Sequence, residues 1–360
     1  MKNYLVKSAA LALAVLTFAS CSDNDEPTVD PVETATLKEA VTNTSNNIII
    51  NTYGNLNQKA TALLTAVNQL STSKTSANLT VTKNAWVETR VYWEQSEGFL
   101  YGPVDNEGID PAMDTWPVDV TAMNDILNSS SPITVATLEN NNEARGFHLI
   151  EFLLWGEDGT KTADQLTTRQ LELLKAAAQD LQNNTQKLYN GWIASSGNFV
   201  DNFINPSPNA YPSYVAVLEE ITEGLITIAD EVGNSKIEDP LNSEGSTPYP
   251  QLEESRFSNN SKLDFADNIR SIQNIYLGIG NGAGNGKGLS SLVAAKNPTL
   301  DAKIKASITE SINAINAIPG TFTSAISNNR NEVKAAQIKV NALHTILQAE
   351  LKPFVVNNLN

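Results

Sequence analysis

The chain contains very little cysteine and very little histidine. Its single cysteine, Cys21, has no partner for a disulfide within the chain. The imidazoles are His148 and His344, and the sequence contains no His-Glu-x-x-His. His344 lies among apolar residues at helical spacing, and we interpret it as a residue that flanks the core. A hydrolytic zinc site takes about three protein ligands, so such a site would need His148 together with several carboxylates.

Basic residues are also scarce. The 24 Lys and Arg residues face 40 Asp and Glu residues, which gives a formal net charge of -16. Such a field repels phosphate backbones, so nucleic acid is not expected as a partner. With 41% hydrophobic and 18% charged residues, the chain has enough apolar surface to fold and lacks the composition of a disordered protein.

No apolar run is long enough to span a bilayer. The run at 9–19 is only about eleven residues long and follows Lys2 and Lys7, as in a secretory signal peptide. It ends in Phe-Ala-Ser-Cys, which resembles a lipobox with Phe18 where Leu is usual. We therefore predict a lipoprotein signal peptide at 1–20 and a membrane anchor through lipidated Cys21. Ordinary signal cleavage beside an incidental cysteine is the alternative.

An acidic segment follows the cysteine. Residues 22–33 contain five acidic residues, two prolines and no basic residue. This composition predicts a solvated tether, which we place at 21–35. Ser-Asp-Asn-Asp-Glu after the cysteine is similar to the export signal of some lipoproteins of the Bacteroides group. We therefore expect an outer-membrane lipoprotein, displayed on the cell surface or else facing the periplasm.

The rest of the sequence has the periodicity of helices. Apolar residues recur in steps of three and four over 37–70, 163–194, 214–232 and 300–356, the last interrupted by Pro319-Gly320. No series of short alternating strands is present. The sequence therefore predicts an all-α fold of two packed helical-bundle domains with a cleft between them. A Ser, Gly, Asn and Pro-rich stretch at 195–212 places the domains at 36–205 and 206–360.

One compact constellation could carry chemistry. In Gly146-Phe-His148-Leu-Ile-Glu151, the imidazole and the carboxylate are three residues apart and share one face of a helix. They could bind one cation, or they could form a hydrogen-bonded pair in a buried helix, because their neighbours are nearly all apolar.

A second polar set precedes it. The spacing of Arg90, Glu94 and Glu97 places them on one helical face beside two tryptophans. A ladder of salt bridges within the helix is one interpretation, and part of a binding site is the other. Asp114, in Asp-Thr-Trp-Pro, could cap the next helix or add a carboxylate to the site.

These segments together resemble the imelysin family, also called the M75 peptidase family. The resemblance rests on 86–103, on Asp-Thr-Trp-Pro at 114–117, on Gly-x-His-x-x-Glu at 146–151, and on Glu-Ser-Arg-Phe-Ser at 254–258 with Asp264 and Asn268. It implies two helical bundles with the motif residues gathered in the cleft, and a role in iron acquisition beside an older peptidase label. The expected site residues are His148, Glu151, Glu94, Glu97, Arg90, Asp114, Ser258 and Asp264.

Three functions remain open at this point. The first is a binding module that holds iron, zinc or an iron-linked ligand through His148, Glu151 and nearby carboxylates, for which oxygen-rich ligands suit iron. The second is a metal-dependent peptidase that uses His148 and Glu151, so whether the chain is an enzyme is undecided. The third is a surface that recognises a partner such as an outer-membrane uptake protein, with a purely structural His-Glu pair.

Overall fold

Helices supply all the regular secondary structure in residues 31–280 and 286–359, the part of the chain that the computed structural model describes. The predicted signal peptide, Cys21 and residues 21–30 of the tether lie outside it. The α-helices are α1 Pro31–Asn43, α2 Ile50–Thr72, α3 Ser76–Glu94, α4 Pro103–Asn106, α5 Ile109–Met113, α6 Val120–Asn128, α7 Val135–Glu139, α8 Gly146–Trp155, α9 Thr168–Trp192, α10 Asp201–Ile204, α11 Tyr214–Glu231, α12 Glu238–Leu241, α13 Ser261–Leu277, α14 Leu289–Lys296, α15 Pro298–Asn316, α16 Phe322–Asn328, α17 Arg330–Ile346 and α18 Lys352–Asn358.

The first long helix begins earlier than the sequence suggests. Helix α1 starts at Pro31, a residue that is favourable in the first turn of a helix, so the last five residues assigned to the tether are helical. A π-helical turn, Thr44–Ile49, joins α1 to α2 without a break. The predicted helix over 37–70 is therefore present, with this one irregular turn.

The helices pack in two groups around a continuous apolar core. In the first group α2 lies against α3 and α9, and α8 packs on both α3 and α9. In the second group α15 lies against α13, α14 and α17, while α11 contacts α13, α17 and α18. Helix α1 packs on α11 and α14 of the second group. The all-α prediction is confirmed, and the domain boundary near residue 205 stays a prediction.

The C-terminal part contains more helices than the two that its periodicity predicts. Helix α15 ends before Pro319-Gly320, as expected, but the following block divides into α16 and α17 at Asn329. Three asparagines at 328, 329 and 331 favour a break here, because their side chains compete with helical backbone hydrogen bonds. A further π-helical turn, Leu347–Leu351, then leads into α18. Among the described helices, none is long and apolar enough to cross a membrane.

The motif helix, α8, carries Gly-x-His-x-x-Glu and packs on α3 beside the contact between the two groups of helices. The indole N–H of Trp86 on α3 donates to the carbonyl of Phe147 on α8 at 3.0 Å, and α3 also contacts α13 of the second group. Directly before α8, Arg145 makes a buried bidentate ion pair with Asp180 on α9, at 2.6 and 2.8 Å. These contacts fix α8 against α3 and α9.

Candidate metal centre

The fully buried guanidinium of Arg90 lies at the centre of a cluster of charged side chains. The other members of this cluster are Glu94, Glu97, Asp114, His148, Glu151, Lys236, Glu254 and Asp264. Arg90 is close to the C-terminal end of α3, and its Nη1 lies 2.5 Å from Oδ1 of Asp114. Its Nη2 lies 2.9 Å from Oε1 of Glu254 and also pairs with Glu94, one helical turn further on. Burial alone would lower the pKa of Arg90, but the surrounding carboxylates outweigh it, so the guanidinium stays charged.

A second buried cation faces the same carboxylates. After α11 the chain forms a π-helical turn, Val232–Lys236, and the side chain of Lys236 points into the cluster. Its Nζ lies 2.7 Å from Oε2 of Glu97, 3.1 Å from Oε1 of Glu254 and 3.5 Å from Oε2 of Glu94. Burial would lower the pKa of Lys236, but these carboxylates raise it well above its usual value.

The motif helix presents its imidazole in a fixed orientation. Nδ1 of His148 lies 3.0 Å from Oε2 of Glu151. The other oxygen of Glu151 accepts hydrogen bonds from the backbone N–H and the hydroxyl of Ser258, at 2.8 and 2.6 Å. Because a carboxylate only accepts, Nδ1 carries a proton, and Nε2 is the ring nitrogen that is left to face a ligand. Glu151 therefore orients the imidazole, and both of its oxygens are already engaged.

Nε2 of His148 points toward the cluster. It lies 3.1 Å from Oδ1 of Asp114, but the two atoms are not aligned as a hydrogen bond. Two donor atoms that each lie about 2.1 Å from one metal ion are separated by roughly 3.0–3.4 Å, which matches this spacing. Burial lowers the pKa of His148, yet the carboxylates of Asp114 and Glu151 outweigh it and raise this pKa to about 10. The surrounding carboxylates thus stabilise a positive charge at this position.

Asp114 joins the motif helix to α3. Its Oδ2 accepts from the indole N–H of Trp93 at 2.6 Å, and its Oδ1 faces both His148 and Arg90. The alternative that Asp114 caps the next helix is wrong, because Asp119 accepts from the first backbone N–H groups of α6. Arg90 and nearby cationic groups outweigh the burial of Asp114 and lower its pKa.

The position of Glu97 also differs from the prediction that it shares a helical face with Arg90 and Glu94. Helix α3 ends at Glu94, and Glu97 begins a 3₁₀ turn, Glu97–Phe99, so it does not continue one helical face. Its carboxylate reaches the cluster because the turn faces α13, where the amide nitrogen of Asn268 donates to Glu97 at 3.0 Å and to Glu94 at 2.6 Å. Of the predicted ladder of salt bridges within the helix, the Arg90–Glu94 pair is present, but Glu97 lies beyond the end of α3 and all three residues are buried.

Carboxyl groups outnumber cationic groups in this buried cluster. Three cationic groups, Arg90, Lys236 and His148, face six carboxyl groups: Glu94, Glu97, Asp114, Glu151, Glu254 and Asp264. Burial raises the pKa of Glu94 and Glu97 well above the usual value and raises that of Asp264 to about 6. Such an excess favours uptake of protons or of a metal cation.

Several donor atoms are close enough to share one ion. Asp114, His148 and Glu254 form one set, and Glu94, Glu97, Asp114 and Glu254 form another, with ligand atoms within 4.8 Å of one another in each. Oε2 of Glu254 and Oδ2 of Asp264 are buried without a hydrogen-bond partner among the described residues. An imidazole among hard carboxylate oxygens suits iron or zinc.

Comparison with known proteins agrees with this arrangement of helices. The family model described as imelysin, Peptidase_M75, matches residues 49–349. The chain belongs to the imelysin family. It is 28% identical, over 314 residues, to iron-regulated protein A of Synechococcus elongatus, covering 86% of this chain and 84% of that protein.

Two solved structures share the imelysin fold of this chain. An iron-regulated protein A precursor from Parabacteroides distasonis is 27% identical with a TM-score of 0.79, covering 89% of this chain and 95% of that one. An imelysin-like protein from Psychrobacter arcticum has a TM-score of 0.74 at 13% identity, covering 91% and 98% of the two chains. The second likeness concerns the fold alone.

The structure brings together all eight residues predicted for the imelysin site. Ser258 contacts Glu151, which holds His148; His148 meets Asp114, and Arg90 connects Asp114 to the remaining carboxylates. Glu151 is in neither of the two sets of ligand atoms, and both of its oxygens are engaged by His148 and Ser258.

Sequence reasoning missed two members of the cluster. Lys236 is not among the residues singled out from the sequence, and Glu254 enters the prediction only as part of the segment 254–258 that resembles the imelysin family. A cation at the end of the apolar helix α11 was the one local signal for Lys236. His344 lies outside the cluster, with its Nδ1 3.8 Å from Oδ1 of Asp230.

Proposed function

We propose that this protein binds an iron ion at the buried cluster and serves iron acquisition at the cell envelope. The observation that carries the proposal is the position of Nε2 of His148, which faces Asp114 and lies in one ligand set with Glu254. The excess of buried carboxylates supplies the charge that a metal cation would offset. The names of the relatives from Synechococcus and Parabacteroides, both iron-regulated proteins, support the link to iron.

The residues have distinct tasks in such a site. His148, Asp114 and Glu254 would hold the ion, and Glu151 with Ser258 would keep the imidazole oriented, as outer-shell partners of metal ligands commonly do. Glu94 and Glu97 would add oxygen ligands or balance charge. A bound ion would supply positive charge at the junction of the two helix groups.

The test is calorimetric titration of the purified protein with ferrous iron, kept anaerobic, and with zinc. We expect micromolar or tighter binding that His148→Ala abolishes, while circular dichroism shows unchanged helicity. His344→Ala is the matched control, because it removes the other histidine, which lies outside the cluster. Loss of the fold in His148→Ala would favour a structural His-Glu pair, and absence of binding by the unmodified protein would refute the proposal.

The peptidase alternative has less support from the geometry. A hydrolytic site needs an open position for water and a free carboxylate base, but Glu151 has both oxygens in hydrogen bonds and the cluster is nearly closed to solvent. Cleavage of a protein substrate that disappears on chelation and in Glu151→Gln would revive this alternative.

We also propose that a lipid on Cys21 anchors the protein to the outer membrane, where an uptake partner could receive the metal. The support is the sequence Phe-Ala-Ser-Cys after a short apolar run, followed by an acidic segment. Cys21→Ser should release the protein from membrane fractions, and continued membrane association would contradict this proposal.

A further inference from the structure

Lys236 occupies the place where a metal ion would meet the second set of carboxylates. Its side chain is 1% exposed, and its ammonium contacts Glu94, Glu97 and Glu254 within 3.5 Å. These three residues make up, with Asp114, one of the two groups whose oxygens are close enough to share a cation. The protein therefore already holds a cation of its own among those oxygens.

We propose that Lys236 is a tethered competitor for the metal, which must move aside before the ion can use Glu94, Glu97 and Glu254 together. The inference rests on the proposed metal-binding function. An ammonium and a metal ion carry like charge and require the same oxygens, so both cannot occupy this volume. The competition weakens binding and keeps it reversible, as a protein that hands its metal to a partner requires.

Two further groups near the ammonium of Lys236, those of Glu231 and Trp116, could be its partners after it leaves the three carboxylates. Oε1 of Glu231 lies 3.9 Å from its Nζ, and the Glu231 side chain is 36% exposed. The ring centroid of Trp116 lies 5.9 Å from the same Nζ, within reach of a cation–π contact. The ammonium could therefore move toward solvent while keeping a carboxylate and an aromatic face as partners.

Arg90 differs from Lys236 in this respect. Its guanidinium lies 5.0 Å from the ring centroid of Phe147 and is fully enclosed on α3. Lys236 is instead the last residue of a π-helical turn, a geometry that often accompanies functional sites. Its ammonium is carried by a flexible four-carbon side chain. Of these two buried cations, Lys236 is the one that lies beside a partly exposed carboxylate, that of Glu231.

The test compares Lys236→Met with Lys236→Arg as the charge-preserving control. Titration with ferrous iron or zinc should show binding at least about tenfold tighter in Lys236→Met, because no ammonium then has to be displaced from the oxygens that the ion uses. Lys236→Arg should bind no tighter than the unmodified protein. If that protein binds metal and Lys236→Met binds equally or more weakly, the competitor role is wrong. If none of the three proteins binds, the metal-binding function itself fails.

A second measurement needs no variant, in case Lys236→Met does not fold. The unmodified protein is treated with an amine-acylating reagent with and without zinc, and modification at Lys236 is measured by mass spectrometry. We expect a severalfold rise with zinc, because the displaced ammonium moves toward solvent. Zinc binding observed by calorimetry without any rise in Lys236 modification would overturn the proposal.

Discussion

Replacement of Gly146 by alanine should disturb the site through the backbone. Gly146 has φ of +71°, and a Cβ added there would lie 2.1 Å from the carbonyl oxygen of Met113. Met113 directly precedes Asp114, and Gly146 lies two residues before His148. The absence of a side chain thus lets α8 begin against the backbone that carries the partner of His148.

The cost of Gly146→Ala has two parts. An alanine in the left-handed region costs about 1–2 kcal/mol, and overpacking against a fixed backbone adds about 1–3 kcal/mol. Since Cβ atoms essentially never approach other atoms within 3.0 Å, the two segments must separate by about 1 Å. That displacement acts on the 3.1 Å spacing between His148 and Asp114, so metal affinity should fall by at least about tenfold.

Urea unfolding and calorimetric titration measure the two effects. Gly108→Ala is the matched control, because Gly108 also has a positive φ, +59°, but an added Cβ would meet nothing within 4 Å. We expect Gly108→Ala to cost only about 1–2 kcal/mol and to leave metal binding unchanged. Equal stability and equal affinity in the two variants would refute the close-approach argument.

Two further changes test contacts away from the ligands. Asp180→Asn leaves the guanidinium of Arg145 buried without its charged partner. Urea unfolding should therefore show a free energy of unfolding lower by about 3–5 kcal/mol. A loss below about 1 kcal/mol would contradict the inference that this ion pair fixes α8 against α9. Burial would raise the pKa of Asp301, but hydrogen bonds, led by that from Lys305 at 2.7 Å, lower it. The stabilisation that the ionised carboxylate of Asp301 contributes is therefore present at pH values above its unfolded-state pKa. It is lost as pH falls through the lower folded-state pKa of Asp301. Asp301→Asn should be less stable by about 1 kcal/mol at pH 7 and equal to the unmodified protein in strong acid; a difference independent of pH would be inconsistent with this assignment.

The helical part of the fold was accessible to sequence reasoning because amphipathic periodicity is local. Helix α11, Tyr214–Glu231, follows the apolar spacing over 214–232 closely. The irregular turns were not predicted, since π-helical segments keep nearly the same pattern of apolar residues. The break at Asn329 was missed because the apolar residues on either side keep the helical spacing.

The site was predictable only where its contacts are short in sequence. His148 and Glu151 pair across one helical turn, whereas Lys236 reaches Glu97 across 139 residues and Arg90 reaches Glu254 across 164. No periodicity reports contacts between helices so far apart. The family resemblance supplied Ser258 and Asp264, which local spacing could not connect to His148.

The structure also assigns different tasks to the three defining residues of Gly-x-His-x-x-Glu. Gly146 permits the close approach of two backbones, His148 directs Nε2 into the cluster, and Glu151 fixes the ring through Nδ1 while Ser258 fixes Glu151. The sequence predicts Glu151 as a ligand beside His148, and in the structure its two oxygens contact His148 and Ser258. A carboxylate held on both oxygens keeps the imidazole in one tautomer and one orientation, and this is how Glu151 would contribute to affinity at the proposed metal site.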